Sequence, residues 1–427
     1  MSERDPLEDW VFHTQLQPTL ERRAQQDLQR DLQRLEQWLA TPPAGKRRDV
    51  PQVHGARWAM NVRLELRDIP RTQDLYRRLV PETGNGKSYA EEGLLNLLAL
   101  ALDPSTIPFF MDMLDYAPPR DKLSARRREL SLAALALLVY RHDDPAALAA
   151  LVDATRHKNP TVRALAVHYL SSVFVGVDEI DVSALPPLDS VDVAEFGNMQ
   201  WILNIPDPDA TSEPAAEEPD DDRPEAAEPP ELRCPIPPDI LERLSQMATG
   251  DPAFEPRFMA RKLLGDAGAA VPLDHPDGAY AFKVRLRGLA GMHRTIAMRS
   301  TDTLDDLHMA IQQAIKWDAD HLYSFFLNNK RYDQRYGFSS PWDSDNPPWA
   351  DEVRIGELGL PPKHKFMYYF DYGDSHQFEV QVVGIEPQAA PGDYPHVIES
   401  HGAAPQQYEY ADEDEWDEEE DLDEENV

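Results

Sequence analysis

The sequence AYAFKVRLRGLAGMHRTIAMR, residues 279–299, switches the chain from one periodicity to another. Within it Tyr280, Phe282, Val284 and Leu286 alternate with Ala281, Lys283 and Arg285, so one side of an extended segment is apolar and the other polar. A period of two belongs to a half-buried strand. Gly288 and Gly291 let the backbone reverse and HRTIAMR runs back, which makes the segment a β-hairpin. Downstream, Thr303 and Asp306 form a capping box, and Leu304, Leu307, Ile311 and Ile315 line one face of a helix ending at Trp317. Further strand-like runs cover 321–327, 364–371 and 377–385. The order ββα followed by strands predicts an α+β domain with its helix on one face of a mixed sheet.

Upstream of 279 the period is helical. Leu20, Ala24, Leu28, Leu32, Leu35 and Leu39 recur at spacings of three and four, predicting a helix over 16–39. Residues 49–81 stay ambiguous, because 59–66 suits strand or helix and Ile69-Pro70 interrupts the pattern. Ser88 with Glu91 reads as a capping box ahead of GLLNLLALAL, which Asp103-Pro104 stops. Helices are expected over 107–114, 123–140, 146–156 and 162–174, spaced as antiparallel pairs. NPTVRALAVHYL (159–170) resembles the second half of a HEAT-type repeat, and DPAFEPRFMARKLL (251–264) repeats it, Pro252 standing for Pro160 and Arg257 for Arg163. Each follows a helix, 146–156 and 238–248. Two such units are fewer than the roughly three that close a solenoid core.

The 427 residues are enough for two or three domains, and their charge is unevenly placed. Of the net −35, residues 207–231 carry −10 and residues 409–427 carry −13. The first lies in a Pro, Glu, Asp and Ala run that buries too little apolar surface to offset chain entropy, so an acidic disordered linker is expected, and the second reads as a solubilising tail around Trp416. The predicted organisation is a helical region of uncertain form (1–87), HEAT-like repeats (88–205), the linker (206–231), a further helix pair (232–268), the α+β domain (277–408) and the tail (409–427). No apolar run approaches the roughly 20 residues that span a bilayer, and MSERDPLEDW lacks the order of a signal peptide, so a cytoplasmic protein without membrane contact is expected. Cys234 is the one cysteine, which excludes an intrachain disulfide. The negative charge opposes nucleic-acid binding.

WDADHLYSFFLNNKRY (317–332) and KFMYYFDYGDSHQFEVQVVGIEP (365–387) resemble the two signature stretches of the plasmid pRiA open-reading-frame-three family, and YPHVIESHGAAPQQY (394–408) resembles its ending. The resemblance covers about 277–408 and is most specific at Trp317, Asp318, His321, Leu322, Tyr323, Phe325, Asp371, Gly373 and Asp374. It implies a compact sheet-and-helix unit similar to the β-grasp arrangement, far more than a function. Members have been labelled resolvases or repressors. Where the family commonly has tryptophan two places after the second aspartate, this chain has His376.

Asp371 and Asp374, with His376, His364 and His321, offer oxygen and nitrogen donors for a divalent metal; the competing reading is turn chemistry, since Asp and Gly serve a hairpin reversal. Most aromatics of 317–349 are expected in the core. The exception is the loop 336–349, where Trp342 and Trp349 have no strand to pack from and read as contact residues. GNGKS (84–88) has Pro81 in place of the leading glycine of a phosphate loop, so Ser88 is read as a cap. Arg120, Lys122, Arg126, Arg127 and Arg128 read as a solvated helix face. No catalytic group, cofactor or metal is assigned. The leading expectation is a non-catalytic interaction or scaffold protein with an unknown protein partner, whose candidate contact residues are Trp317, Asp318, His321, Tyr323, Trp342, Trp349, Asp371, Gly373, Asp374 and His376. Two alternatives stay open: a metal-dependent enzyme using the Asp371 and Asp374 hairpin, and a DNA-associated regulator linked to mobile elements.

Overall fold

A computed structural model describes residues 17–40, 50–51, 53, 68–83, 90–118, 121–175, 232–343 and 346–407. Among them the chain divides into two compact units at residues 271 and 272, the first helical and the second built on a sheet. Among the described residues no helix is long and apolar enough to cross a membrane.

In the helical unit, α1 (Gln17–Ala40) buries Leu28, Leu32 and Leu35 along the stripe its spacing predicts. Residues 59–66 of the ambiguous region lie outside the described residues, and its end is helix α2 (Asp68–Thr83): Pro70 lies in the first turn, where the missing N–H has no intrahelical partner to lose. Helix α3 (Ala90–Leu100) carries the apolar run, with Leu94, Leu95, Leu97 and Leu98 buried. Ser88, its proposed cap and the whole of GNGKS lie outside the described residues. Glu91, buried in the first turn of α3, takes a hydrogen bond from Thr83 Oγ1, and burial raises its pKa.

Helices α4 (Ile107–Asp115), α5 (Ser124–His142), α6 (Pro145–Ala154) and α7 (Pro160–Phe174) follow, with α5 packed against α3, α4, α6 and α7. Asp144 and Asn159 cap α6 and α7 through side-chain oxygens, with proline at the first helical position of each. Helices α8 (Pro238–Gly250) and α9 (Phe254–Asp266) pack on each other, and α9 also packs on α7.

Two arginine sites join these helices. Arg163 of α7 donates Nε and Nη2 to the carboxylate of Asp251 at 2.7 Å each, and Arg257 of α9 donates to the Asp251 carbonyl at 2.9 Å. The arginines that correspond in the repeat therefore end on one residue. Arg127, read from sequence as part of a solvated face, is instead buried: it pairs with Asp121 at 2.6 Å and bonds the Tyr76 hydroxyl and the Tyr116 carbonyl. Helical spacing points it inward, and the loop before α5 supplies the carboxylate. Arg126 meets Glu92, and Arg128 the Leu114 carbonyl. Where the chain leaves α7 and later returns, the Arg233 N–H donates to the Phe174 carbonyl at 2.8 Å, and its guanidinium lies 3.9 Å from the Tyr140 ring centre.

The second unit is a seven-stranded sheet of β1 (Ala279–Leu286), β2 (His293–Arg299), β3 (Tyr323–Phe326), β4 (Gly337–Ser339), β5 (Lys365–Phe370), β6 (His376–Glu386) and β7 (His396–His401). Their order is β4-β3-β5-β6-β1-β2-β7. Every strand pair is antiparallel, which corrects the expected mixed sheet. A strand's own period carries no information on its partner's direction; the hairpins β1–β2 and β5–β6 join through one antiparallel β1–β6 ladder. Helix α10 (Leu304–Ile315) has the predicted box, Thr303 accepting from the Asp306 N–H and Asp306 from the Thr303 N–H. It covers the face that carries Phe325, Phe366, Tyr368, Phe370 and Phe378, all fully buried. Burying each such ring stabilises the fold by about 1.5–3 kcal/mol.

Candidate functional site

The turn between β5 and β6 positions four of the residues singled out from sequence. Asp371 takes a left-handed backbone (φ 55°) and turns its carboxylate back over the loop, Oδ1 accepting from the N–H groups of Gly373 (3.0 Å) and Asp374 (3.2 Å). Ser375, also left-handed, donates its N–H to the Asp371 carbonyl at 2.7 Å. A Cβ at Gly373 would lie 3.3 Å from Asp371 Oδ1, so the small residue leaves room for the carboxylate. This is the expected turn chemistry.

The same turn also gathers donors. One ligand atom each from Asp371, Asp374 and His376 lie within 4.8 Å of one another, with Asp371 buried, His376 half-buried and Asp374 exposed. His321 Nε2 is 3.7 Å from Asp371 Oδ2, while its Nδ1 faces Asp320 at 2.8 Å. The His376 ring sits 4.7 Å from Trp317 and stacks on Phe370, and its Nε2 is buried with no hydrogen-bond partner. Two carboxylates and an imidazole suit a borderline divalent cation such as Mn²⁺, Fe²⁺ or Zn²⁺. His364 is elsewhere, its Nε2 on the Leu327 carbonyl. Trp317 and Asp318 are tied to the end of the domain: the Trp317 indole donates to the Pro405 carbonyl at 2.9 Å, and the Asp318 N–H to Gln407 Oε1 at 2.7 Å.

Beneath the sheet, Tyr323 is part of a buried polar network that sequence reasoning missed. Its hydroxyl donates to Asp305, and its ring lies face to face with His308 at 3.9 Å. Gln312 Nε2 donates to the Tyr368 hydroxyl at 2.6 Å, and that hydroxyl also shares a hydrogen bond with His308 Nδ1 at 2.6 Å. Burial keeps His308 neutral, pushing its pKa down to about 3. Burial raises the Tyr323 and Tyr368 hydroxyls far above the ordinary phenol range, the Asp305 carboxylate adding to the shift at Tyr323. The available signal was His308 and Gln312, one turn apart among the apolar positions of α10.

The other face of β3 and β5 is buried as well. Phe326, Met367 and Tyr369 form a small cluster on it, and Tyr372 of the turn stacks on Tyr369 with ring centres 5.4 Å apart. The Arg331 guanidinium lies 4.6 Å from the Tyr332 ring and 5.4 Å from that of Tyr369, and Tyr332 is 58 % exposed. Burial first, then the charge of Asp343, raises the pKa of Tyr372. Trp342 is 56 % exposed. Trp349 is not: it is buried, its indole donating to the Asp343 carbonyl at 2.8 Å, because the loop folds back on itself through a bridge to Ser339.

No curated protein matches the chain. A crystal structure of a protein of unknown function from Methanosarcina mazei aligns with 30 % of this chain and 72 % of its own, at 23 % identity and a TM-score of 0.27. Residues 278–412, the strands and the turn just described, match the family described as plasmid pRiA4b ORF-3-like protein.

Proposed function

We propose that the protein is a non-catalytic interaction or scaffold protein, in which a HEAT-like helical array and a β-grasp-like sheet domain each offer a surface to protein partners. The observation that carries this reading is a pair of exposed aromatic side chains outside the strands, Tyr332 with the Arg331 guanidinium over its ring, and Trp342. Tyrosine, tryptophan and arginine are the residue types that concentrate binding energy at protein interfaces. The HEAT-like reading is supported by Arg163 and Arg257 converging on Asp251, and the β-grasp-like reading by the ββα order with α10 on one face. Affinity capture with the full chain tests the reading. Tyr332→Ala combined with Trp342→Ala should reduce recovery of a captured protein at least about tenfold, near 1.4 kcal/mol, without changing the melting temperature. Equal recovery from both proteins would sink it.

A second reading, a metal-dependent enzyme, is favoured by one observation: the buried His376 Nε2 has no hydrogen-bond partner and stands in the group with Asp371 and Asp374. A divalent cation there would accept that lone pair and could acidify a water ligand. Titration calorimetry of the full chain with Mn²⁺ or Zn²⁺ should give one saturable site, lost in Asp374→Asn, whose exposed side chain makes that variant safe for folding. Wild-type protein that takes up neither ion would remove this reading.

A further inference from the structure

The helical unit contains an open cleft of about 460 Å³ between the C-terminal ends of α6 and α8 and the loops that follow them. It is lined by Arg156, His157, Lys158, Arg163 and Arg243, with Asp251 at its floor. Most of this positive charge is committed. Arg163 spends Nε and Nη2 on Asp251 and Nη1 on the carbonyls of His157 and Lys158. Lys158 pairs with Asp115 at 2.8 Å, and His157 Nε2 lies 3.3 Å from the same carboxylate without the alignment of a hydrogen bond.

Arg156 and Arg243 are left without a carboxylate among the described residues. The Arg156 side chain makes one long bond, 3.3 Å, to the carbonyl of Val152 in the preceding helix. Arg243 uses Nε and Nη2 on Thr155, at 3.0 and 2.6 Å, which fixes its plane. Its pKa is lowered by burial and then by the like charges of Arg156 and Arg163, only Asp251 opposing the shift. Both guanidinium groups line the one cleft, and their N–H groups not used on Val152 and Thr155 are of the kind that recognises an anion.

We propose that this cleft binds a phosphate monoester between the guanidinium groups of Arg156 and Arg243. The charge matches, since a phosphate monoester near pH 7 carries close to two negative charges and a lone carboxylate would neutralise one arginine only. The geometry matches, because the N–H forks of two arginines can share three terminal oxygens. The volume lies in the range of small-ligand pockets, roughly 300–1,000 Å³. A long polyanion such as duplex DNA fits poorly, because the net charge of −35 would repel all of it outside the cleft. The ester can come from a phosphorylated metabolite or from a phosphorylated side chain, which share the group recognised.

The test is titration calorimetry of the full chain at low ionic strength with inorganic phosphate, then ribose 5-phosphate and a phosphoserine tetrapeptide. One saturable site is expected, with the tighter of the two esters identifying the source. Arg156→Gln should weaken phosphate at least about tenfold, with Arg156→Lys falling between it and the wild type. Arg243→Gln should do the same; because it also breaks two bonds to Thr155, the exposed Arg156 variant decides the matter if the other fails to fold. No saturable binding up to about 10 mM phosphate, a Kd worth less than roughly 3 kcal/mol, or equal affinity in Arg156→Gln, would overturn the proposal. So would tighter binding of duplex DNA than of either ester.

Discussion

Protonating His308 would set a cation against the rings of Tyr323 and Phe370 under a helix that excludes water, so the folded protein keeps it neutral. In the unfolded chain the same imidazole titrates near 6.5. Below that pH the unfolded state binds a proton that the folded state refuses until about 3, so stability falls as pH drops through this window and is untouched above it. The slope for one proton is about 1.4 kcal/mol per pH unit. His308→Gln keeps an acceptor for the Tyr368 hydroxyl and removes the titration. Urea unfolding followed by tryptophan fluorescence should therefore show the wild type losing about 1 kcal/mol more than the variant between pH 6 and pH 5. Identical losses would mean that His308 is not held neutral. At this scale the sequence was informative about the turn and silent about the network. Asp371, Gly373 and Asp374 announce a reversal by residue type alone, whereas the orphaned His376 Nε2 and the buried indole of Trp349 depend on which chain lies opposite.

Elements with a strong period were legible. The alternation in β1 and the apolar stripe with its Thr303 cap in α10 each state a shape and a buried face at once. Strand β4 is three residues long, too short to display a period, and β7 has every side chain exposed, so burial writes no alternation into it. Both are edges of the sheet, where a strand needs only one partner. Antiparallel pairing throughout was equally invisible, being a property of neighbours. In the helical unit the proline of Ile69-Pro70 reads as a break only if its position in the turn is unknown; in the first turn it is a start. Arg127 illustrates the same limit, since its neutralising Asp121 and its Tyr76 partner come from a loop and from another helix.

Across the whole molecule, each of the two units carries its own core, so damage to one should be local. Asp121→Ala would leave the Arg127 guanidinium, 1 % exposed, without its carboxylate, a change that costs about 3–5 kcal/mol when a buried pair loses one member. Calorimetry should show two unfolding transitions, with Asp121→Ala lowering only the one that belongs to the helices and His308→Gln at pH 5 affecting only the other. A single transition that moves as a whole in Asp121→Ala would show that the units unfold together.

The bond from the Arg233 N–H to the Phe174 carbonyl has a consequence for how this chain can change over time. It ties the end of α7 directly to the residue that precedes α8 by a few positions, and the Arg233 side chain secures the same joint against Tyr140. The two anchor points meet through groups of their own, so inheritance of the joint is tied to Phe174, Tyr140 and Arg233.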